Sequence, residues 1–555
     1  MRLCLFCVLL SASLSAQPAP DSAANAAPRT ARLEGQVLSQ AGEPLRKATL
    51  QLIPYGSPLA NMVYEDTSDA SGNFVFEAVS PGRYTLSAQR TGFLTRNYGA
   101  RSAANPYPGS VLTLTAGQVM KDLSLKLAPQ GVIFGRVTDM DGDPLPGAQV
   151  QLLRVFHSGG QRRLSPAGGA NTDDQGSFRI VGLSPGSYYL AADDMQSRRY
   201  GNEVVRPGRA SNRLTNVVTY YPDAVDVANA LPLEIAPGSE LQGIEIRIRR
   251  AAVFSIRGMV VDSATGKPAA VPLNAQLKDG PQLGLGTAGT FARSDGTFEI
   301  RNLLPGVYVV AGGMNGNPDF RTAREEVSIT DSDVGVKLAL TPGATMAGTV
   351  KLEGDGPPVH PMVALNGVDG TERGSNAKTK DDGTFELQGI VPGKYAAGVY
   401  DMPPGVYVKS VRLGGQVVTR TKLDLTSGVS GRLDILLSPR AAEVLGTVKN
   451  NAGEAVSGAL VTLWPKSLRP ETAWNGPAES ATDQNGDFRL AGLVPGDYYA
   501  TAWEEVEPGL TYDIDFLKRF ESQATVVVLE EGAHQTIQPK WISREDAAAE
   551  AAKLP

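Results

Sequence analysis

Along most of this chain apolar and polar residues alternate in short runs, each broken within a few residues by glycine, proline, asparagine or aspartate. Ala48-Thr49-Leu50-Gln51-Leu52, Ala148-Gln149-Val150-Gln151-Leu152 and Ala459-Leu460-Val461-Thr462-Leu463 are three such runs. A period of two places one face of a strand on a core and the other toward water. The pattern predicts an all-β protein of short antiparallel strands, and its 61 glycines and 38 prolines suit the many turns required.

The runs recur as five copies of one pattern. Each opens on a Gly-x-Val strand, at Gly35/Val37, Gly135/Val137, Gly258/Val260, Gly348/Val350 and Gly446/Val448. A turn of Asp/Asn-Gly-x-Phe type follows, at Gly72/Phe74, Gly176/Phe178, Gly296/Phe298, Gly383/Phe385 and Gly486/Phe488. Glycine there takes the positive φ of a tight hairpin. Nine residues on comes Pro-Gly-x-Tyr, at Pro81–Tyr84, Pro185–Tyr188, Pro305–Tyr308, Pro392–Tyr395 and Pro495–Tyr498. The offset never varies, so strand length and register between the turns are fixed, because a one-residue slip would turn the apolar face to water. Pro-Gly itself reads as the centre of a type II turn.

Copies starting near residues 33, 132, 254, 346 and 443 are too long for solenoid repeats or propeller blades, and predict separate sandwiches strung like beads. The expected division is a leader at 1–16, a disordered lead-in at 17–31, and sandwiches at 32–128, 129–251 with an inserted loop, 252–340, 341–438 and 439–541. A charged, Ala-rich tail follows at 542–555.

The three motifs together resemble the carboxypeptidase regulatory-like domain, a transthyretin-like (prealbumin-like) antiparallel β-sandwich related to Cna B-type stalk domains and carbohydrate-binding modules. The resemblance covers nearly all of the chain beyond the leader. It implies a fold, since such domains occur as appendages to peptidases, in adhesins, in outer-membrane receptors and as plain arrays.

Met1-Arg2, the apolar run Leu3–Leu10 and the small-residue exit at Leu14-Ser15-Ala16 read as a secretory leader cut after Ala16. No other stretch approaches the about 18 apolar residues of a membrane span. The expectation is therefore an extracytoplasmic protein with no membrane span. Both cysteines, Cys4 and Cys7, fall in the leader, which leaves the exported chain without disulfides, thiolate metal sites or a cysteine nucleophile. The net charge of −6 is spread along the chain and offers no footprint for nucleic acid.

Catalytic constellations are not assembled by the sequence. His157, His360 and His534 lie in three different copies, and none begins a His-x-x-Glu or His-Glu-x-x-His zinc motif. Gly182-Leu183-Ser184-Pro185-Gly186 spells a nucleophile elbow, but Pro185 has no N–H for an oxyanion hole, and Ser184 occupies the slot of Leu304, Val391 and Val494. Asp139-Met140-Asp141-Gly142-Asp143 starts like a calcium loop, yet the closing glutamate position is Val150; a hairpin turn fits better. No repeated Lys and Asn pair with an acid suggests isopeptide links. No catalytic residue, metal or cofactor is assigned, and the expected role is a non-catalytic spacer, adhesion or interaction protein.

Two asymmetries bear on partners. The second copy's insertion carries Arg198, Arg199, Arg206, Arg209 and Arg213, a solvated loop or a docking loop. All four tryptophans, Trp464, Trp474, Trp503 and Trp541, lie in the fifth copy or at its end. Alternation turns Trp464, Tyr499 and Trp503 away from the sandwich core. These three are the candidate ligand-binding residues, either for stacking on a polysaccharide or for an envelope protein, with packing against the C-terminal segment or the fourth copy as the competing role.

Overall fold

The computed structural model describes residues 30–55, 63–101, 109–158, 161–194, 213–278, 288–315, 320–354, 358–368, 374–418, 423–466 and 476–554. The leader, Arg198, Arg199, Arg206, Arg209 and Trp474 lie outside them. The chain is all-β, built of packed, largely antiparallel sheets; among the described residues a 3-10 turn stands at Val227–Asn229 and the α-helices lie near the end.

Among the described residues the buried apolar side chains gather in five large cores, drawn from residues 31–127, 133–248, 256–340, 346–437 and 442–529. Four form between two separate sheets; in the third copy the pairing of Phe320–Ile329 with Val334–Pro342 joins the two into one eight-stranded sheet. In the first copy, strand Ala31–Ser39 is central, antiparallel to Asn73–Val79 and parallel to Val119–Leu127. The facing sheet runs through Tyr64–Thr67, Thr49–Pro54 and Gly82–Gln89. The opening strands of the other copies have the same antiparallel and parallel neighbours.

The recurring residues have recurring physical reasons. A Cβ on the glycine of Gly-x-Val would lie 2.1, 2.5, 2.0, 2.4 and 1.9 Å from the carbonyl oxygen of Leu123, Ile244, Val336, Leu433 and Ile537 in the five copies. Only glycine lets the parallel strand approach so closely. Each Tyr of Pro-Gly-x-Tyr donates its hydroxyl to the carbonyl of the residue before the proline: Tyr84 to Ser80 (2.9 Å), Tyr188 to Ser184 (2.7 Å), Tyr308 to Leu304 (2.9 Å), Tyr395 to Val391 (2.8 Å) and Tyr498 to Val494 (2.6 Å). The ring fills the core while its hydroxyl satisfies a turn carbonyl.

The type II expectation at Pro-Gly fails: Gly82 and Gly393 take no positive φ, and Gly186, Gly306 and Gly496 lie at 147°, 156° and 156°, far from the roughly 80° of that turn. The left-handed residue stands three positions before the proline, at Ala78 (φ 58°), Gly182 (78°), Asn302 (61°), Gly389 (71°) and Gly492 (74°). At that end of each strand the pairing register with the opening strand shifts, so the positive φ serves a β-bulge rather than the turn.

The copies are not independent beads. Strand Arg213–Asn216, from the second copy's insertion, pairs with Arg250–Asp262 of the third. The backbone N–H of Gly343 donates to Phe320 across the third and fourth copies (2.9 Å). At the next junction Glu531 accepts from Ser438 (2.7 Å) and Tyr407 (3.0 Å) and pairs with Arg440 (2.9 Å), while Lys409 binds Glu353. The fifth copy then touches the first, which closes the circle of contacts and replaces the open string expected from the spacing.

Candidate functional site

The candidate residues lie on the sheet of the fifth copy formed by Ala478–Ala481, Leu460–Pro465, Gly496–Trp503 and Thr525–Leu529. Tyr498, Ala500 and Ala502 face the core between the sheets, as alternation requires, and Trp464, Tyr499 and Trp503 face away from it.

That outer face is covered. Beyond Trp503 the chain makes a 3-10 turn at Leu510–Tyr512 and a helix at Ile514–Lys518, whose N-cap Asp513 accepts from the N–H groups of Asp515 (2.9 Å) and Phe516 (3.1 Å). It returns as strand Lys540–Ile542 beside Thr501–Trp503 and ends in a helix, Arg544–Ala551, capped by Ser543. Residues 542–554 of the Ala-rich segment thus carry structure, and Ala547 and Leu554 pack on the aromatic face.

Leu510, Phe516, Leu517, Phe520 and Ile542 close over the tryptophans as a second core. Trp503 is 0% exposed, with its ring centroid 5.6 Å from that of Phe516 and 4.9 Å from that of Phe520, and its Nε1 donates to Thr462 Oγ1 (3.0 Å). Trp464 is 2% exposed and lies 5.8 Å from Tyr499, which is half-buried beneath the Lys466 ammonium. The expectation of an open stacking platform is corrected here: Trp464 and Trp503 offer no ring face to a sugar. The competing role, packing against the C-terminal segment, accounts for both. The physical reason is the one that drew attention to them, since large aromatic rings are costly to leave wet.

Beneath this cover Thr462 and Thr501 are fully buried and stand in cross-strand register with Glu479. Glu479 accepts from the Tyr512 hydroxyl (3.2 Å). Burial pushes its carboxyl above the usual range, against the downward pull of the Thr511, Tyr512 and Thr462 hydroxyls.

The other sequence candidates resolve into turns and surface pairs. Ser184 lends its carbonyl to the Tyr188 hydroxyl. Asp139 accepts from the N–H groups of Asp141 and Asp143 (2.9 Å each), a hairpin turn. His534 Nδ1 lies 3.0 Å from Glu443, and His360 lies 3.9 Å from Asp381. Among the described residues no group of three or more His, Cys, Asp or Glu could hold a metal ion, and no helix is long and apolar enough to cross a membrane.

One arrangement that sequence reasoning missed is the seam between the first and fifth copies. Strand Val111–Leu114 pairs with Gly82–Gln89 along one edge. Along its other edge lies the Asp-Gly-x-Phe turn of the fifth copy. The Val111 N–H donates to Thr482 O (3.4 Å), Thr113 N–H to Gln484 Oε1 (3.0 Å), and Gln484 Nε2 to Thr113 O (3.0 Å). Thr113 Oγ1 reaches Asp483 (3.1 Å), and the Ser110 and Ser457 hydroxyls meet at 2.5 Å. Gly458 lies so close to Gly99 that a Cβ on it would be 2.1 Å from the Gly99 carbonyl oxygen. Arg101 stacks 5.6 Å from the Trp541 ring and faces Glu504. Beside the seam, the second copy's Arg154 and Gly186 and the fifth copy's Glu505, Pro508, Leu510 and Arg544 line a groove of about 310 Å³.

Comparison with known proteins matches residues 32–128 and 132–219 to the carboxypeptidase regulatory-like domain. The sequence matches none of the curated proteins with which it was compared. Similar solved structures include the minor pilin of the Gram-positive pathogen Streptococcus agalactiae (14% identity, 40% of this chain and 97% of that one, TM-score 0.22). The Bacillus anthracis TIE protein is another (13%, 74% and 75%, TM-score 0.15), as is BcpA, the major pilin subunit of Bacillus cereus (9%, 56% and 99%, TM-score 0.14).

Proposed function

We propose that this chain, which matches the carboxypeptidase regulatory-like domain over residues 32–128 and 132–219, is an exported, non-catalytic array of β-sandwiches, divided at the bounds given above, that serves as a structural or adhesion protein of the cell envelope. One observation carries this reading. The residues common to the five copies are spent on the fold: the opening glycine on strand approach and the tyrosine hydroxyl on a turn carbonyl. A protein whose repeated residues maintain a scaffold is suited to present surface and span distance. The leader at Met1–Ala16 supports export. With Trp464 and Trp503 covered, the particular reason for a polysaccharide partner falls away, and a protein of the envelope is the favoured partner class.

Fractionation of cells of the source organism, beside a strain lacking the protein, tests the proposal. The expected result is a chain beginning at Gln17 outside the cytoplasm, with weakened attachment or envelope integrity in the deletion strain. A cytoplasmic chain that retains Met1, or a deletion strain unchanged in both properties, overturns it.

A further inference from the structure

We propose that the seam between the first and fifth copies is an exchangeable docking surface whose alternative partner is a second copy of this chain, so that a closed monomer and head-to-tail oligomers are two uses of one contact. The inference stands apart from the envelope role and does not depend on it.

The two sides of the seam are separated by more than three copies in sequence but fit each other closely. On one side is a strand edge, Val111–Leu114, with the Val111 N–H, the Thr113 N–H and the Thr113 carbonyl all directed outward. On the other is a turn that supplies a backbone carbonyl at Thr482 and both ends of the Gln484 amide. An unpaired strand edge is a template for another chain, and here the fifth copy's turn covers it. Glycine packed against glycine, Gly458 on Gly99, makes the fit selective, because almost any other loop would bring a Cβ into the Gly99 carbonyl.

The contact is also of a kind that opens. Serine, threonine, glycine, glutamine and aspartate make most of it, with Val111 bridging Asp483 and Arg101 over Trp541 as its stacked pair, and among the described residues no core cluster spans it. Interfaces this polar resemble transient ones. The sequence-adjacent copies are held by the chain itself and, between the second and third, by a shared strand pair. The first and fifth copies are held by noncovalent contacts alone. The surfaces that meet are different patches of one molecule, which makes the contact heterologous. Such contacts close a ring when the geometry returns on itself and build open chains when it does not. Within one chain the effective concentration of the two sides favours closure, and crowding of chains favours exchange.

Disulfide trapping reads both uses directly. In a full-length background carrying Cys4→Ser and Cys7→Ser, Ser110→Cys and Ser457→Cys are made singly and together. The double variant should oxidise to a cross-linked monomer when dilute. A mixture of the two single variants, passed through sub-denaturing urea and returned to buffer, should give a mixed dimer about tenfold above a control mixture pairing Ser110→Cys with the exposed Ser332→Cys, as expected for specific docking over collision. The yield should rise with protein concentration, and Gly458→Val or Gln484→Ala should remove it; having two seam variants guards against one that fails to fold. A mixed dimer no more abundant than the control, or one that survives a folded seam variant, overturns the proposal.

Discussion

Replacing Trp503 by alanine removes the largest fully buried side chain of the described residues and tests whether the aromatic face of the fifth copy is a core or a platform. The ring is 0% exposed, lies against Phe516 and Phe520 and donates to Thr462. A buried Trp→Ala change costs about 3 to 5 kcal/mol, and the lost hydrogen bond adds about 1 kcal/mol. A single sandwich has about 5 to 15 kcal/mol in all, so the fifth copy should be left near its limit while the other four, with cores of their own, are not. All four tryptophans lie between Trp464 and Trp541, so the fluorescence of the remaining three reports this copy alone. With a urea m-value of about 1 to 2 kcal/mol/M, the fluorescence midpoint should fall by at least about 2 M, and most of the far-UV circular dichroism should keep its own midpoint. Trp503→Phe should recover more than half of the loss. A midpoint that moves by less than about 0.5 M, as substitution of an exposed ring would give, refutes the covered-core account and restores the open platform.

Other perturbations follow from named contacts. Tyr395→Phe keeps a fully buried ring but leaves the Val391 carbonyl without its 2.8 Å donor, and should lower the stability of the fourth copy by about 1 kcal/mol in urea titration. Because burial raises the Glu479 carboxyl, the folded state holds its proton longer than the unfolded one. Stability of the fifth copy should therefore fall as pH rises from the ordinary carboxyl value of 4.5 toward the raised folded value, and Glu479→Gln should flatten that slope in fluorescence melts. Glu531 behaves oppositely: hydrogen bonds from Ser438, then Tyr407 and Lys409, hold its carboxyl low, so its contribution is present above 4.5 and is lost as pH falls through the folded value. Calorimetry should show wild type and Glu531→Gln converging in melting temperature as pH drops from 6 toward 3.

Much of this architecture was legible in the sequence because each signal was local. The fixed offset from turn glycine to Pro-Gly-x-Tyr sets strand register, and Gly72, Gly176, Gly296, Gly383 and Gly486 do take positive φ. Alternation correctly turned Trp464, Tyr499 and Trp503 outward from the sandwich, but it identifies a face and is silent about what lies on that face. The missing information was close at hand: Asp513 is a helix N-cap, and Phe516, Leu517 and Phe520 follow at helical spacing. The left-handed bulge residue was hidden because alanine, glycine and asparagine share the slot. The seam was illegible for a deeper reason. Ser110, Thr113, Ser457 and Gln484 are ordinary polar loop and edge residues, and only the path of the whole chain brings them together.

Small-angle X-ray scattering of the intact protein tests the closed arrangement most directly. A fully compact chain of this length has a radius of gyration of about 24 Å, five sandwiches in a closed circle give about 30 Å, and the same five in an open string give about 50 Å. The closed arrangement requires a value near 30 Å that rises when Gly458→Val or Gln484→Ala breaks the seam; a dilute wild-type value near 50 Å, unchanged by either substitution, would contradict it.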